Sequence, residues 1–533
     1  MMLPMAEPKA TTKLIVPLTQ PQPVAMRQAM QAAARAGADL VELRLDYLAD
    51  TGDQALHLLL DKPPCPLLVT CRSSAEGGQF RGSNSQRVDL LTRSARIGGD
   101  WVDLELASLP NADALLNELA QASAAGRPVP GLILSAHNFQ RRPADLMDIL
   151  ARMEAAPGAV NKVAFAATGP EDAWAAFDVL RASQKPAMAL AMGETGVASR
   201  ILARKFGAFG TFASLHPGAQ SAPGQTTIEQ LRTLYRWDSI GPDTKVYGLV
   251  GCPVGHSMSP AIHNAAFAAD GLDAVYVPLR IEPGAENFAR FIDAVLERPW
   301  VGLAGVSVTI PHKEHALARV GGANVDALAR AIGAINTVVF TGQPGEPMKG
   351  YNTDYAAAID ALVSAMNCRR EDLAGRQVAV LGAGGAARAI VAALAHYGAD
   401  TVIYNRTADR AEQLAREFGS PRGRVCARSL DRLARASADI YINCTPIGMF
   451  PKIDACPLPE ALPLSAETVV FDTIYNPVRT RLLERAAAAG CRTVSGLDMF
   501  VNQAVAQYEL WTAQPAPREV MRSVVLRCLT GQN

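Results

Sequence analysis

The chain has 533 residues and a formal net charge of zero, 51 Lys and Arg against 51 Asp and Glu. It is too long for a single core, and it lacks the basic surplus expected of a nucleic-acid or anionic-membrane binder. Its nine cysteines are scattered singly, without CxxC pairs or Cys/His clusters, which predicts a reduced, cytoplasmic setting and no metal.

Residues 1–12 read as a polar, proline-containing tail. They lack the apolar core of a secretory signal and the arginines of a transit peptide, and no later run approaches the ~20 apolar residues of a membrane helix. From there apolar strands and alanine-rich helices alternate. Strands are expected at 14–18, 40–45, 67–71, 101–106, 132–136, 163–167, 187–191 and 209–215. Eight βα units in succession predict an α/β fold closed as a (β/α)8 TIM barrel over residues 13–236, with an open doubly wound sheet as the alternative.

The alternation within these strands carries information about function. Val41, Leu43 and Leu45 share one face of the second strand, and Glu42, Arg44 and Asp46 the other; in the fourth, Asp103 and Glu105 oppose Val102, Leu104 and Leu106. Parallel strands covered by helices are normally apolar on both faces, so a charged face points into a barrel lumen. There it must be paired or bind something. For Asp103 and Glu105 an internal ion-pair network is the plain alternative; for Glu42 and Arg44 a ligand role is expected. Lys162 enters the sixth strand on a face shared with Ala164 and Ala166, which leaves room for a substrate. A lysine kept in a low-dielectric pocket can attack a ketone as the free amine. From this segment alone, a lysine that snorkels to solvent is the stronger reading. His137 ends the fifth strand, at the face where barrels carry their chemistry.

The segments Glu42-Leu43-Arg44, Cys71-Arg72-Ser73-Ser74-Ala75-Glu76-Gly77-Gly78, Ser135-Ala136-His137-Asn138-Phe139, Asn161-Lys162-Val163-Ala164, Gly196-Val197-Ala198-Ser199-Arg200 and Ser221-Ala222-Pro223-Gly224-Gln225 together resemble type I 3-dehydroquinate dehydratase. The resemblance implies that Lys162 forms a Schiff base with the C3 ketone of 3-dehydroquinate. The iminium acidifies the adjacent carbon, and water leaves from C1. It implies His137 as general acid–base, oriented by Glu76. Glu42, Arg44, Arg72, Arg200, Ser221 and Gln225 are implied as contacts to the substrate's hydroxyls and carboxylate.

A linker is expected at 237–244, with a turn signal at Gly241-Pro242-Asp243. A new strand then leads into Cys252-Pro253-Val254-Gly255-His256-Ser257-Met258-Ser259-Pro260. Two hydroxyls one residue apart before a helix can grip a carboxylate together with helix-start amides; a simple helix cap is the equal alternative. A strand at 305–310 runs into Pro311-His312-Lys313, followed by Gly333-Ala334-Ile335-Asn336-Thr337 and Gly350-Tyr351-Asn352-Thr353-Asp354. Nothing local joins Lys313 to Asp354.

Residues 378–388 read as strand, glycine turn and helix, the opening of a dinucleotide-binding unit. The glycines allow a tight turn and close approach to a pyrophosphate, which the helix N-terminus stabilises. The second strand ends in Asn405-Arg406-Thr407, with an arginine where an NAD enzyme carries an acid, so NADP is expected over NAD.

These stretches, with 442–449 and 496–503, resemble shikimate dehydrogenase. The resemblance implies an α/β substrate domain at 245–353, completed by 497–533, and a Rossmann NADP domain at 354–496. It implies Ser257, Ser259, Thr309, Asn336, Asp354 and Gln503 as shikimate contacts, and Lys313 with Asp354 as the catalytic pair. Gly382, Ala383, Gly384, Gly385 and Ala386 are implied at the pyrophosphate. Asn405, Arg406, Thr407 and Arg410 are implied at the 2′-phosphate side, and Met449 and Gly496 elsewhere along the cofactor. The order of the two halves is similar to the bifunctional enzyme of plants and some bacteria, and the absence of a plastid-type leader argues against an unprocessed plant precursor.

The expectation is a two-step shikimate-pathway enzyme that acts on small molecules, with no nucleic-acid or membrane partner and an oligomeric state the sequence leaves open. The weighed alternatives are a fusion preferring quinate and NAD, opposed by Arg406, and a ligand-sensing pseudoenzyme, opposed by the presence of Lys162, His137, Lys313 and Asp354.

Overall fold

The computed structural model describes residues 11–255, 257–343, 345–419 and 423–531. Most of the expected tail, and His256 of the serine motif, lie outside the described residues. The chain forms two compact units, Met1–Gly255 with Asp273–Leu303, and His256–Leu272 with Ala304–Asn533. Among the described residues no helix is long and apolar enough to cross a membrane.

The first unit is built on eight parallel strands: β1 (Lys13–Leu18), β2 (Leu40–Arg44), β3 (Leu67–Thr70), β4 (Trp101–Glu105), β5 (Gly131–Asn138), β6 (Val160–Ala166), β7 (Ala187–Met192) and β8 (Gly210–Phe212). Each strand pairs with the next from β1 to β7, and β1 also pairs with β8. At the seam between β7 and β8, the Phe209 N–H donates to the Ala187 carbonyl at 2.8 Å. The barrel is therefore nearly closed. Helices alternate with the strands because the intervening sequences are amphipathic: Pro23–Arg35 buries Met26, Met30 and Ala33. Asn84–Ile97 is started by a capping box of Ser83 and Gln86.

The sixth strand begins three residues earlier than expected, because its polar Asn161-Lys162 pair faces structure rather than solvent. The eighth is only three residues long. Along the lumen-facing rows of β2 and β5 the side chains change from apolar to polar toward the strand's C-terminal end, as Leu40, Glu42, Arg44 and Ile133, Ser135, His137, whereas the β7 row of Met188, Leu190 and Met192 is apolar throughout. The apolar ends of these rows pack with Ile15, Leu68, Val160 and Met188. The floor of the barrel is thus a packed core, and the polar layer lies at the C-terminal face.

The same unit includes the parallel pair β9 (Lys245–Gly251) and β10 (Ala274–Arg280), with helix Ala285–Leu296. An aromatic cluster joins them to the barrel helix Glu171–Ala182. Trp174 lies 6.4 Å from Phe291, Phe177 stacks on Phe206 at 4.0 Å, and Phe206 meets Trp300 edge-on at 5.6 Å. Arg298 pairs with Asp178 at 3.0 Å, and Arg280 pairs with Glu194. Residues 237–244 connect the two parts without being loose. Trp237 is buried, and Lys205 Nζ donates to the carbonyls of Pro242 and Thr244 at 2.7 and 2.8 Å.

In the second unit β11 (Leu303–Val308), β12 (Thr337–Gln343) and β13 (Glu346–Tyr351) form an antiparallel run. Six parallel strands follow: β14 (Gln377–Leu381), β15 (Asp400–Asn405), β16 (Val425–Ser429), β17 (Ile440–Asn443), β18 (Val469–Asp472) and β19 (Arg492–Ser495). Their spatial order is β16-β15-β14-β17-β18-β19, the doubly wound order whose switch point lies between β14 and β17. The chain leaves this sheet through helix Gly496–Thr512, which packs on helix Thr353–Met366, and ends in Arg518–Thr530 against Ser259–Ala269.

Candidate active sites

One cavity opens at the C-terminal face of the barrel. It is lined by Glu42, Arg44, Arg72, Glu76, His137, Lys162, Arg200, Ser221 and Gln225, so all nine residues singled out in the first half converge. Lys162 does not snorkel to solvent, the stronger reading from its segment alone; it is buried, because two carboxylates meet it inside the lumen. Its Nζ lies 2.9 Å from Asp103 Oδ2 and 3.3 Å from Glu42 Oε1, and it stands over the Phe212 ring at 4.5 Å. Asp103 also accepts from Arg72 at 2.9 Å and from Ser135 Oγ at 2.6 Å. Burial opposes the charge on Asp103, but Arg72 and Lys162 outweigh it and hold the carboxyl far below the usual range.

His137 is held by Glu76, whose Oε2 lies 2.9 Å from Nδ1 and accepts the His137 backbone N–H at 3.1 Å. Burial, then the charges of Arg72 and Lys162, push the imidazole well below its ordinary value. Burial, then the charge of Glu105, pushes Glu76 up to about 7. The histidine is thus neutral at physiological pH and able to accept a proton.

The guanidiniums differ from one another. Arg44 is committed to Asp46 by two bonds of 2.9 and 2.7 Å, and Arg72 to Asp103. Among the described residues Arg200 is buried without an acidic partner. Its one hydrogen bond among them is 3.5 Å to the Phe212 carbonyl, its Nε is unsatisfied, and burial pulls it down to about 10. An uncompensated buried cation lining a cavity calls for an anionic ligand. Ser221 and Gln225 bond to each other, Ser221 N–H to Oε1 at 2.9 Å and Nε2 to Ser221 Oγ at 3.1 Å. They close a loop in which Gly224 has φ +74°, and a Cβ there would lie 2.3 Å from the Gly193 carbonyl.

In the second unit Lys313 and Asp354 meet, with Nζ 2.5 Å from Oδ2. Lys313 opens its helix just after β11, and Asp354 lies in the first turn of Thr353–Met366, its N–H capped by Asn352 at 3.1 Å. Asn336 donates to the other Asp354 oxygen at 2.9 Å. Ser257 and Ser259 hydroxyls bond to each other at 3.1 Å at a helix start. Among the described residues no hydrogen bond joins either serine, or Thr309, to the Lys313–Asp354 pair. Gln503 lies on helix Gly496–Thr512 with its amide turned to the Phe500 carbonyl at 3.1 Å.

A pyrophosphate fits the loop after β14. Gly382 takes φ +107°, and a Cβ there would meet the Cys444 carbonyl at 3.0 Å. Ala383 follows, and at Gly384 and Gly385 an added Cβ would meet only open space. Packing does not demand those two glycines, and the first amides of helix Gly385–His396, including Ala386, stay open to an anion. Asn405 ends β15 and donates to the Thr407 carbonyl at 2.8 Å. Arg406 and Arg410 are exposed and make no ion pair among the described residues. Met449 is exposed. Gly496 has a structural reason of its own: a Cβ there would lie 2.4 Å from the Thr473 carbonyl.

Sequence reasoning overlooked several participants. Asp46 accepts the backbone N–H groups of Arg72 and Gln79, at 3.3 and 2.9 Å, and so fixes the loop carrying Glu76. Asp472, which burial raises, accepts from Asn443 at 2.9 Å and from Thr480 at 2.6 Å, and Asn443 in turn caps Thr445 in the loop before Met449. Tyr475 stacks on Phe500 at 4.6 Å, beside the turn that carries Gln503.

Four family models match the chain: type I 3-dehydroquinase over residues 14–242, the shikimate dehydrogenase substrate-binding domain over 249–338, shikimate/quinate 5-dehydrogenase over 364–448 and the shikimate 5′-dehydrogenase C-terminal domain over 496–526. A chloroplastic bifunctional 3-dehydroquinate dehydratase/shikimate dehydrogenase of Arabidopsis thaliana is 38% identical over 497 residues, covering 91% of this chain and 79% of its own. A shikimate dehydrogenase (NADP+) of Methanosarcina acetivorans is 42% identical over 289 residues, 54% of this chain and 99% of its own. Among solved structures, a Thermus thermophilus shikimate 5-dehydrogenase in complex with NADP(H) and shikimate is 32% identical, covers 54% of this chain and 100% of its own, and superposes with a TM-score of 0.45.

Proposed function

The chain belongs to the bifunctional 3-dehydroquinate dehydratase/shikimate dehydrogenase family, and from that premise we propose how its two sites divide the work. The protein dehydrates 3-dehydroquinate to 3-dehydroshikimate and reduces that product to shikimate. Residues 13–236 carry the first reaction. Residues 245–353, completed by 497–533, and 354–496 carry the second, with 237–244 between them.

In the barrel Lys162, set between Asp103 and Glu42, attacks the C3 ketone once it has released its ammonium proton; the carbonyl oxygen leaves as water and a protonated Schiff base forms. The iminium draws electrons from the neighbouring carbon, and neutral His137 takes the proton released there. Loss of the C1 hydroxyl as water follows, with His137 as proton donor and Glu76 holding the imidazole, and hydrolysis of the imine by one water frees 3-dehydroshikimate and restores Lys162. The observation that supports this best is Arg200, a guanidinium buried in the same cavity as Lys162 with no counter-charge among the described residues. It pairs with the substrate carboxylate, while Glu42, Arg44, Arg72, Ser221 and Gln225 take up the remaining polar groups.

In the second half NADPH supplies the hydride. Asp354 holds the Lys313 ammonium, which donates a proton to the developing oxyanion. Ser257, Ser259, Thr309, Asn336 and Gln503 hold the substrate. The open amides from Gly382 to Ala386 receive the pyrophosphate, and Asn405, Arg406, Thr407 and Arg410 the 2′-phosphate side. Met449 and Gly496 border the cofactor. The scattered free cysteines favour a reducing, cytoplasmic compartment.

Incubating the protein with 3-dehydroquinate and NADPH, while following enone and NADPH absorbance, tests the whole reading. Stoichiometric NADPH consumption requires both sites. Borohydride added with 3-dehydroquinate should fix the ligand to Lys162, found by peptide mass mapping; full dehydratase activity without such an adduct would rule the Schiff base out.

A further inference from the structure

Gln507 is buried on helix Gly496–Thr512, one turn beyond Gln503. Its Oε1 accepts from Ser307 Oγ at 2.9 Å, and its Nε2 donates to the Asn336 carbonyl at 3.2 Å and to Thr337 Oγ1 at 3.0 Å. A carbonyl only accepts, so the amide has one orientation. Since Thr337 Oγ1 accepts from Gln507, its single proton is directed onward, to Asn336 Oδ1 at 2.8 Å. The Thr353 backbone N–H donates to the same Oδ1 at 2.8 Å, which fixes the Asn336 amide as well. Asn336 Nδ2 therefore faces one oxygen of Asp354 at 2.9 Å and leaves the other for Lys313.

We propose that Gln507 is a positioning residue for the reduction: through Thr337 it orients Asn336, and Asn336 holds Asp354 in the rotamer that presents Lys313 to the ketone. This rests on the reading that Lys313 and Asp354 perform the proton transfer. Backbone groups at both ends, the Asn336 carbonyl and the Thr353 N–H, give the chain of bonds a single direction. The competing role is a plain anchor that ties the last helices to β11 and β12. Loss of an anchor shifts Gln503 with its helix and lowers stability. Loss of the relay instead misaligns a proton donor, which is felt in kcat.

The test uses the full-length protein, with the number of NADPH sites titrated in each sample reporting the folded fraction of the second unit and serving as the enzyme concentration for kcat. Thr337→Val deletes the relaying hydroxyl and leaves Gln507 in place; Gln507→Leu removes the amide. Each should lower kcat for 3-dehydroshikimate reduction about ten- to hundredfold, with KM changed by less than about threefold. The double variant should be no worse than the poorer single one, because both interrupt one chain. Lys313→Ala is measured in parallel. If it abolishes turnover while Thr337→Val and Gln507→Leu keep wild-type kcat, Gln507 is only an anchor and the proposal is overturned. If Lys313→Ala itself keeps kcat, the proton-transfer reading falls and the proposal with it.

Discussion

Glu76 binds His137 twice through one oxygen, Oε2 reaching both the ring Nδ1 and the backbone N–H of the same residue. This fixes the ring's position and directs Nε2 toward the cavity. It also places a carboxyl pushed up to about 7 against an imidazole pushed well down, so a proton shared by the pair rests on Glu76 and the imidazole stays neutral.

The pair should be visible in stability. Glu76 has a folded-state pKa above its unfolded value, so the fold holds the extra proton between the two, and the associated stability is lost as pH rises from about 4.5 to about 7. His137 acts oppositely, its contribution fading as pH falls below its ordinary value. Glu76→Gln removes the first effect. Denaturant unfolding of the barrel should then show the variant gaining on wild type from pH 5 to pH 8, by at most about 3 kcal/mol. A stability difference independent of pH would show that the carboxyl is not held neutral.

Arg200 sets binding against stability. Arg200→Met should raise KM for 3-dehydroquinate about ten- to hundredfold, the equivalent of one charge-assisted contact. Removing an uncompensated buried charge should also stabilise the unliganded barrel by about 0.5–2 kcal/mol. Steady-state kinetics and urea unfolding check the two together. A destabilised variant with unchanged KM would make Arg200 a packing residue.

Arg406 is the residue proposed to distinguish the cofactors. Arg406→Ala should raise KM for NADPH by about ten- to hundredfold and leave NADH use nearly unchanged, because only NADPH offers a 2′-phosphate for a bidentate pair. Equal losses with both would assign Arg406 to structure.

Lys313→Ala should lower kcat for the reduction about 10²–10⁴-fold and change KM far less, since the oxyanion it meets exists mainly in the transition state. The dehydratase reaction of the same sample should be intact. A change confined to KM would make Lys313 a substrate anchor.

Much of this was legible in the sequence because short periods carry it. The two-residue alternation of Glu42 and Arg44 announced a polar lumen, and the strand–glycine–helix run at 378–388 announced β14, its Gly382 turn and helix Gly385–His396. The neighbours of Lys162 were not read. Glu42, Asp103 and Lys162 lie on β2, β4 and β6, and alternate strands of a closed barrel contribute to one layer. The eight-strand count therefore contained the clue that these three meet. No comparable rule links Gln507 to Asn336, which are 171 residues apart and joined by a buried amide that any amphipathic pattern leaves unmarked. The segment 237–244 reads as a linker from its Gly-Pro-Asp turn, whereas the bonds from Lys205 that pin it come from far upstream.

The aromatic cluster around Trp174 has a genetic consequence. A gene divided at codons 237–244 would yield one product with Trp174, Phe177 and Phe206 uncovered, and another with Phe291 and Trp300 uncovered. Expressed separately, both fragments would carry sticky surfaces and tend to precipitate; expressed together, they would find each other through the same rings and through the Arg298–Asp178 and Arg280–Glu194 pairs. Fission of this chain into two free-standing enzymes therefore requires compensating polar substitutions on both faces, which makes the fused arrangement hard to reverse in a single step.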